Sequence, residues 1–429
     1  MTKTTLSTFS KAVSKASPKA ASIVFWAPAI ALFALLAGCQ TPAPLPERPT
    51  AQVAPISFEK AIDFAVDDLL IQAQRLPEFQ PAAPGIGSVL RKDTPAAKIR
   101  IVVDNAVDGS SGQQTVATRA LDARLLGGVT ARFPAFAVSP ISAGDVAVAR
   151  FLLTTAVTVL DQSKDKGGNY RISLSLTDSR NGIVVAQAAA QATADTVDIT
   201  PTAFYRDSPS LVKDRTVEGQ IRTAQSPPGT AADGVYMANL SVVSLIAEGS
   251  RLYEAAQYAE ALAVYEAAAA RPDGKHLRVY NGLYLCNIQL GRADGAEQAF
   301  GRLVLLGLAT NSLSVKFLFR PGSTDFWPDP KINGPYPMWL RVVAREGIAA
   351  KSCMTIIGHS SNTGSEATND RLSLARAASI QKRLEVAAPE MSGRLQSSGL
   401  GFRENLTGTG TDDARDALDR RVEFRVRGC

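Results

Sequence analysis

At 429 residues, with 45% apolar and 20% charged residues, the chain is long enough for two or three folded domains and too apolar for a disordered tail. Its formal charge of +6 does not point to nucleic acid, because Lys3, Lys11, Lys15 and Lys19 supply most of it and no acidic residue precedes Cys39. The histidines His276 and His359 stand far apart, and neither has a Cys or carboxylate at metal-ligand spacing.

Residues 1–38 read as a secretory leader: a lysine-bearing stretch, an apolar run over 20–36 broken by Pro28, then small residues. The leader ends Leu36-Ala37-Gly38-Cys39, which resembles the bacterial lipoprotein signal. The resemblance implies that the Cys39 thiol carries diacylglycerol and that cleavage leaves Cys39 as the first residue. Each buried CH₂ of an acyl chain contributes about 0.8 kcal/mol, and more than one chain makes the anchor stable. Gln40 stands where an Asp would favour the inner membrane, so the same resemblance implies the outer membrane. The other reading is a plain membrane-spanning anchor with an incidental cysteine, for which the apolar run is close to the lower length limit.

Residues 39–56 form a Pro-rich tether. In polyproline conformation, at about 3.1 Å per residue, it would hold the folded part of the chain roughly 50 Å from the bilayer. The segment 57–84 holds an amphipathic helix over 57–75, with Ser57 as N-cap and Phe58, Ala61, Ile62, Ala65 and Leu69 on one face, then a linker.

An α/β domain is expected over 85–200. Its elements are a strand at 99–104, a turn at 109–112, a helix at 113–132, a strand at 133–138 and a helix at 142–150. Three β-rich runs come next, at 151–160, 170–177 and 183–191, read as antiparallel hairpins. Their turns contain Lys166-Gly167-Gly168 and the stretch 178–182. With the phrase Tyr170-Arg171-Ile172-Ser173-Leu174-Ser175-Leu176-Thr177-Asp178, then Gly182-Ile183-Val184-Val185-Ala186, this order resembles the domain shared by LpoB, CsgG and FlgO. Residues 201–235, rich in proline and polar groups, read as a linker.

Residues 236–310 read as helices. Gly249, Leu252, Ala261, Tyr265 and Ala268 are echoed about 35 residues later by Ala296, Phe300 and Leu303, with Gly291 between two helices. The pattern resembles tetratricopeptide helix pairs. Two repeats are few for a free solenoid, so they are expected to lean on a neighbouring domain, as a spacer or as a concave peptide-binding surface.

Residues 312–429 carry three motif blocks: Gly358-His359-Ser360-Ser361-Asn362-Thr363-Gly364, then Asn369-Asp370-Arg371-Leu372-Ser373-Leu374-Ala375-Arg376-Ala377, then Asp419-Arg420-Arg421-Val422-Glu423-Phe424. They resemble the OmpA-like C-terminal domain. Strands at 314–319, 354–357, 395–401 and 422–427 alternate with helices at 336–346 and 372–386, which gives a βαβαββ sandwich. The whole is a multidomain protein of mixed α/β and α+β class. Cys353 and Cys429 fall in two strands of this domain, and a disulfide between them stays open; Cys286 sits on an apolar helix and reads as an inert core thiol.

The family resemblance implies a peptidoglycan stem peptide as ligand. An Asp and an Arg hold the ammonium and carboxylate borne on one carbon of diaminopimelate. The Arg maps onto Arg376, a polar contact onto Asn369, and the Arg of the last block onto Arg420. The Asp maps onto Ser361. A hydroxyl does not cancel a charge, and the loss costs on the order of 1.5–3 kcal/mol. Glu366 and Asp370 are the nearby candidates for the missing charge, and Asp370 is also a candidate surface partner for Arg376. Arg320 stands where relatives often carry Asp and would favour a more anionic ligand.

No catalytic motif appears. The stretch 358–362 misses the nucleophile elbow by its last residue, and Gly408-Thr409-Gly410-Thr411 lacks the P-loop lysine. His359 reads as a structural or pocket-rim residue. The expectation is a non-enzymatic outer-membrane lipoprotein, without cofactor, that links membrane to peptidoglycan and offers a scaffold to another envelope protein. The alternatives are a regulator of a peptidoglycan synthase and an accessory subunit of a secretion or appendage system.

Overall fold

The computed structural model describes residues 47–49, 52, 54–77, 98–160, 169–320, 322–406, 410 and 418–429. The leader, Cys39, the first part of the tether, the Lys166-Gly167-Gly168 turn and most of the 407–417 loop lie outside the described residues. The chain divides into Met1–Pro44 and Leu45–Cys429, and the second unit holds all the described elements.

The first sheet is built from β1 (Ile99–Val103), β2 (Val107–Asp108), β3 (Phe136–Pro140), β4 (Phe151–Val159), β5 (Tyr170–Asp178) and β6 (Ile183–Ala192). Its order is β3-β1-β4-β5-β6, with β2 beside β4. β1 runs parallel to β3 and β4, whereas β4, β5 and β6 form an antiparallel meander. The parallel pairing depends on its connection: a parallel return needs a long crossover, here supplied by α2 (Val116–Arg132), which Thr115 caps by accepting from Thr118 N. A short α3 (Ala143–Val148) precedes β4.

The helix α1 (Phe58–Gln74) lies with α2 on one face, over Ile101, Val103, Phe151, Leu153 and Leu174. Asp67 of α1 pairs with Arg132 of α2 at 2.7 Å. The separate helix expected at 57–84 is thus part of the first domain. The tether is shorter than its composition suggests. Ile56 bridges Ala192 at the sheet edge, and Arg48 makes a two-point pair with Asp68 at 2.7 and 3.0 Å.

The expected linker at 201–235 is also folded. It contains α4 (Ala203–Asp207), α5 (Arg215–Gln225) and the start of α6 (Gly234–Ala238). Asp214 caps α5 by accepting from Thr216 N and Val217 N, and Val217, Ile221 and Ala224 pack on Val107 and Ala156 of the sheet's second face. Tyr236 of α6 donates from its hydroxyl to Asp104 at 2.7 Å in a fully buried contact. Beside Val217, Ile221 and Ala224, α5 also buries Thr216, Gln220 and Thr223, toward a sheet face bearing Thr154, Ser173 and Ser175, while α4 is only five residues long and buries Phe204 and Tyr205.

Two helix pairs come next in the chain: α7 (Leu240–Glu254) with α8 (Tyr258–Ala269), and α9 (Leu277–Gln289) with α10 (Ala293–Ala309). The Tyr265 ring fills the crossing between Gly249 and Gly282, where an added Cβ at either position would collide with ring atoms. Only glycine leaves room there.

The last sheet has order β7-β10-β8-β9, from β7 (Leu313–Val315), β8 (Cys353–Gly358), β9 (Leu395–Gly399) and β10 (Val422–Arg427). A short α11 (Pro330–Asn333) leads to α12 (Tyr336–Ala349), and α13 (Glu366–Ala387) joins β8 to β9. α13 starts six residues before the expected 372, because Ser365 caps it by accepting from Thr368 N. β7 ends at Val315 rather than 319, where Lys316 N turns away to donate to Pro209 O. Cys353 and Cys429 are joined by a disulfide, with Cα atoms 5.2 Å apart. The helix pairs and this sheet share one core: Trp339 of α12 stacks on Phe300 of α10 at 5.7 Å and donates to the Tyr284 hydroxyl at 2.9 Å.

The 201–235 segment also grips β7. Ser210 bridges Val315, and Lys316 Nζ donates to the carbonyls of Tyr205 and Arg206 at 2.9 and 3.1 Å. Burial pushes the Lys316 ammonium down to about 7, against the pull of Asp207. The folded chain therefore binds fewer protons than the unfolded chain above that pH, and stability rises with pH through this window. Lys316→Met is expected to remove a rise on the order of 2 kcal/mol between pH 7 and 9, read by denaturant titration of both proteins at the two pH values.

Candidate functional site

The three motif blocks meet at one end of the last sheet. The first block is the turn that leaves β8, the second is the N-terminal half of α13, and the third enters β10. The helix lies unusually close to the sheet. A Cβ on Gly358 would clash with Ser373 O, and one on Gly399 would clash with Leu374 N. This seating fixes where α13 delivers its side chains.

Asn369 and Arg376 stand two turns apart on the same face, each 3% exposed. Asn369 Nδ2 donates to Thr363 O at 2.6 Å and Ser365 O at 3.1 Å, which closes the turn after β8. Arg376 donates from Nε to Ser323 O and from Nη2 to Arg320 O, both at 3.2 Å, and its guanidinium lies 5.1 Å from the centre of the Phe319 ring. Arg376 therefore organises the loop after β7 as well as bringing a buried positive charge. Ser361, in the turn after β8, is buried, 4% exposed, and Arg420 is half-buried at the entry to β10.

Glu366 and Asp370 do not turn toward Arg376. Both pair with Arg403, at 3.0 and 2.8 Å. Arg403 lies beyond β9 and carried no signal in the sequence. Both acids are committed to Arg403 rather than to Arg376. The Arg320 side chain is exposed, and its contribution to the loop is the carbonyl that Arg376 holds. Carbonyl partners leave no trace in residue identity, which is why the loop's role was not legible.

Beneath the turn sits a charge cluster that sequence reasoning missed, since its members are remote in the chain. His359 is 1% exposed, and its Nε2 lies 3.5 Å from Glu423 Oε1. Glu423 also pairs with Arg421 at 2.8 Å and Arg425 at 3.1 Å, and Arg425 reaches Glu404 at 2.9 Å. Burial pushes the Glu423 carboxyl up, but His359 and Arg421 outweigh it and hold the carboxyl well below the usual carboxylate range. His359, Glu404 and Glu423 place possible ligand atoms within 4.8 Å of one another. Two arginines already occupy the carboxylate oxygens and balance their charge, so the set fits a structural ion-pair network better than a metal ion.

The sequence model of the OmpA family matches residues 340–418, from within α12 to just before the last block. The C-terminal domain is OmpA-like. Solved structures similar to it include the peptidoglycan-associated lipoprotein from Burkholderia pseudomallei, at 21% identity over 27% of this chain and 89% of that one, TM-score 0.23. The cell wall anchor of the T6SS from Pseudomonas aeruginosa is 24% identical over 27% of this chain and 80% of that one, TM-score 0.23. The OmpA-like domain of FopA1 from Francisella tularensis subsp. tularensis SCHU S4 is 17% identical over 27% of this chain and 74% of that one, TM-score 0.20. No curated protein matches the chain.

Within the OmpA-like domain, the depressed Glu423 acidity contributes stability that is present at neutral pH and lost as pH falls through the folded value. Glu423→Gln is expected to destabilise the domain by about 3 kcal/mol at pH 7, with the gap to wild type closing in strong acid. Thermal melts from pH 7 down to pH 2 measure both effects.

Proposed function

We infer that the OmpA-like domain binds the peptidoglycan stem peptide and that the chain is a non-enzymatic link between the outer membrane and the wall. The observation that carries this reading is the buried pair Asn369 and Arg376 on one face of α13, beside the turn that holds Ser361. A guanidinium has five N–H donors in a fixed fork, enough to brace a loop and meet a ligand carboxylate. Arg376 supplies that positive charge, Asn369 fixes the turn, Ser361 offers a neutral hydroxyl to the ligand's ammonium end, and Arg420 adds a second guanidinium at the rim. The match to the OmpA family supports the same ligand class.

Cys39 is the lipid attachment point in this reading, and Gln40 directs the anchored chain to the outer membrane. The first domain and the helix pairs then serve as the scaffold for an envelope partner. A second reading, a regulator of a peptidoglycan synthase or a subunit of a secretion or appendage system, draws on the order of the first domain, in which parallel strands lead into a meander. Crosslinking in cells with identification of the partner separates these readings.

Wild-type protein is expected to co-sediment with isolated sacculi, and failure to do so sinks the peptidoglycan reading. Arg376→Ala should lose binding, with a melting curve to confirm folding because the side chain also braces the 320–323 loop. Ser361→Asp should restore the charge-assisted contact and tighten binding about ten- to a hundredfold. For the anchor, Cys39→Ser should abolish incorporation of labelled palmitate and release the protein from the membrane fraction.

A further inference from the structure

On the OmpA-like domain, away from the charge cluster, a groove of about 1000 Å³ runs between α12 and α13. Phe326, Tyr336 and Leu340 form its apolar floor, and Ala375 and Ala378 keep one wall low. Val386 closes the far end and is 75% exposed, an unusual placement for a large aliphatic side chain. Lys382 and Arg383 stand on the rim, and no lining residue is acidic.

The two rim cations differ from others on the same domain. Arg341, Arg345, Arg403 and Arg425 each pair with a carboxylate. Lys382 and Arg383 meet no carboxylate among the described residues; Arg383 lies instead over the Phe326 ring, 4.4 Å from its centre. The groove thus presents an apolar floor beside two positive charges that no described carboxylate balances. Every lining residue belongs to a helix or to the loop after β7, where Phe326 makes a single bridge to Phe319, and no strand of the sheet borders the groove. An extended peptide would gain no ladder of backbone hydrogen bonds there. A helix, about 10–12 Å across with its side chains, satisfies its own backbone and presents side chains at the spacing of one turn.

We propose that this groove receives an amphipathic helix of a partner protein, with apolar residues on the Phe326–Tyr336–Leu340 floor and carboxylates one turn apart meeting Lys382 and Arg383. The low wall at Ala375 and Ala378 lets the helix backbone come close, as small residues do wherever helices pack tightly. The docking also touches the ligand site. Thr324 and Phe326 belong to the loop whose Arg320 and Ser323 carbonyls Arg376 holds. A helix seated in the groove would press on that loop.

The test uses the full-length protein in cells, with a photo-crosslinking amino acid at the position of Ala378. The expected product is a crosslink to a protein segment that mass spectrometry shows to be amphipathic, with two or more carboxylates at helical spacing. Lys382→Glu with Arg383→Glu should lower the yield about tenfold while sacculus binding is kept, with a melting curve to confirm folding because Arg383 also packs on Phe326. Exchanging the partner's carboxylates for lysines should then restore the crosslink to the charge-reversed variant. Ala378→Trp, which fills the groove, should reduce partner capture measured by a crosslinker placed at Ser379 instead. A crosslink only to lipid, only to a second copy of the chain, or to none, overturns the proposal, as does a yield indifferent to charge reversal. Sacculus binding is scored separately, so its failure leaves this result readable.

Discussion

The position of α13 against the last sheet governs the candidate site. Gly358 and Gly399 allow the helix backbone to lie against the ends of β8 and β9 at a distance that any side chain would prevent. From that seat Asn369 reaches the turn after β8, and Arg376 reaches the loop after β7. The glycine that opens the first motif block and the arginine near the end of the second are therefore one device. The first sets the distance and the second uses it.

A second constraint joins the two sheets. The 201–235 segment packs α5 on the first sheet, extends Ser210 alongside β7, and offers helix-end carbonyls to Lys316. The helix pairs complete the joint by sharing a core with α12, and Glu297 of α10 meets Arg341 and Arg345 across it. The parts from Leu45 onward form one compact unit in which the OmpA-like domain packs on its neighbours through buried side chains. For a protein proposed to stand between a membrane and a wall, such a joint carries force better than a flexible linker.

In the proposed reading, the OmpA-like domain combines an incomplete clamp with an intact frame. Ser361 lacks the charge that its place in the motif implies, and the nearby carboxylates Glu366 and Asp370 are committed to Arg403. The frame beneath, from His359 through Glu423 to Arg421, is buried and charge-balanced. In the proposed reading, a neutral hydroxyl in this frame alters what the site prefers without altering how it is built.

Much was legible in one dimension. β-Rich runs separated by turns marked β4, β5 and β6, and the spacing of Gly249, Tyr265 and Ala296 marked the helix pairs, where the residues are apolar or small for reasons of local packing. The same logic failed for α4, which is only five residues long, for α5, which lies inside a stretch rich in proline and polar groups, and for the described residues of 47–56, whose prolines suggested a free tether. By itself the sequence determined the three motif blocks, the mixed class and the serine at position 361, since each is written in residue identity and spacing. Only the tertiary structure decided that Arg376 holds two backbone carbonyls, that Arg403 takes both neighbouring acids, and that a basic groove opens beside them. Those outcomes depend on which distant atoms come within hydrogen-bonding range, and that is settled by packing between elements rather than by the order of residues along the chain.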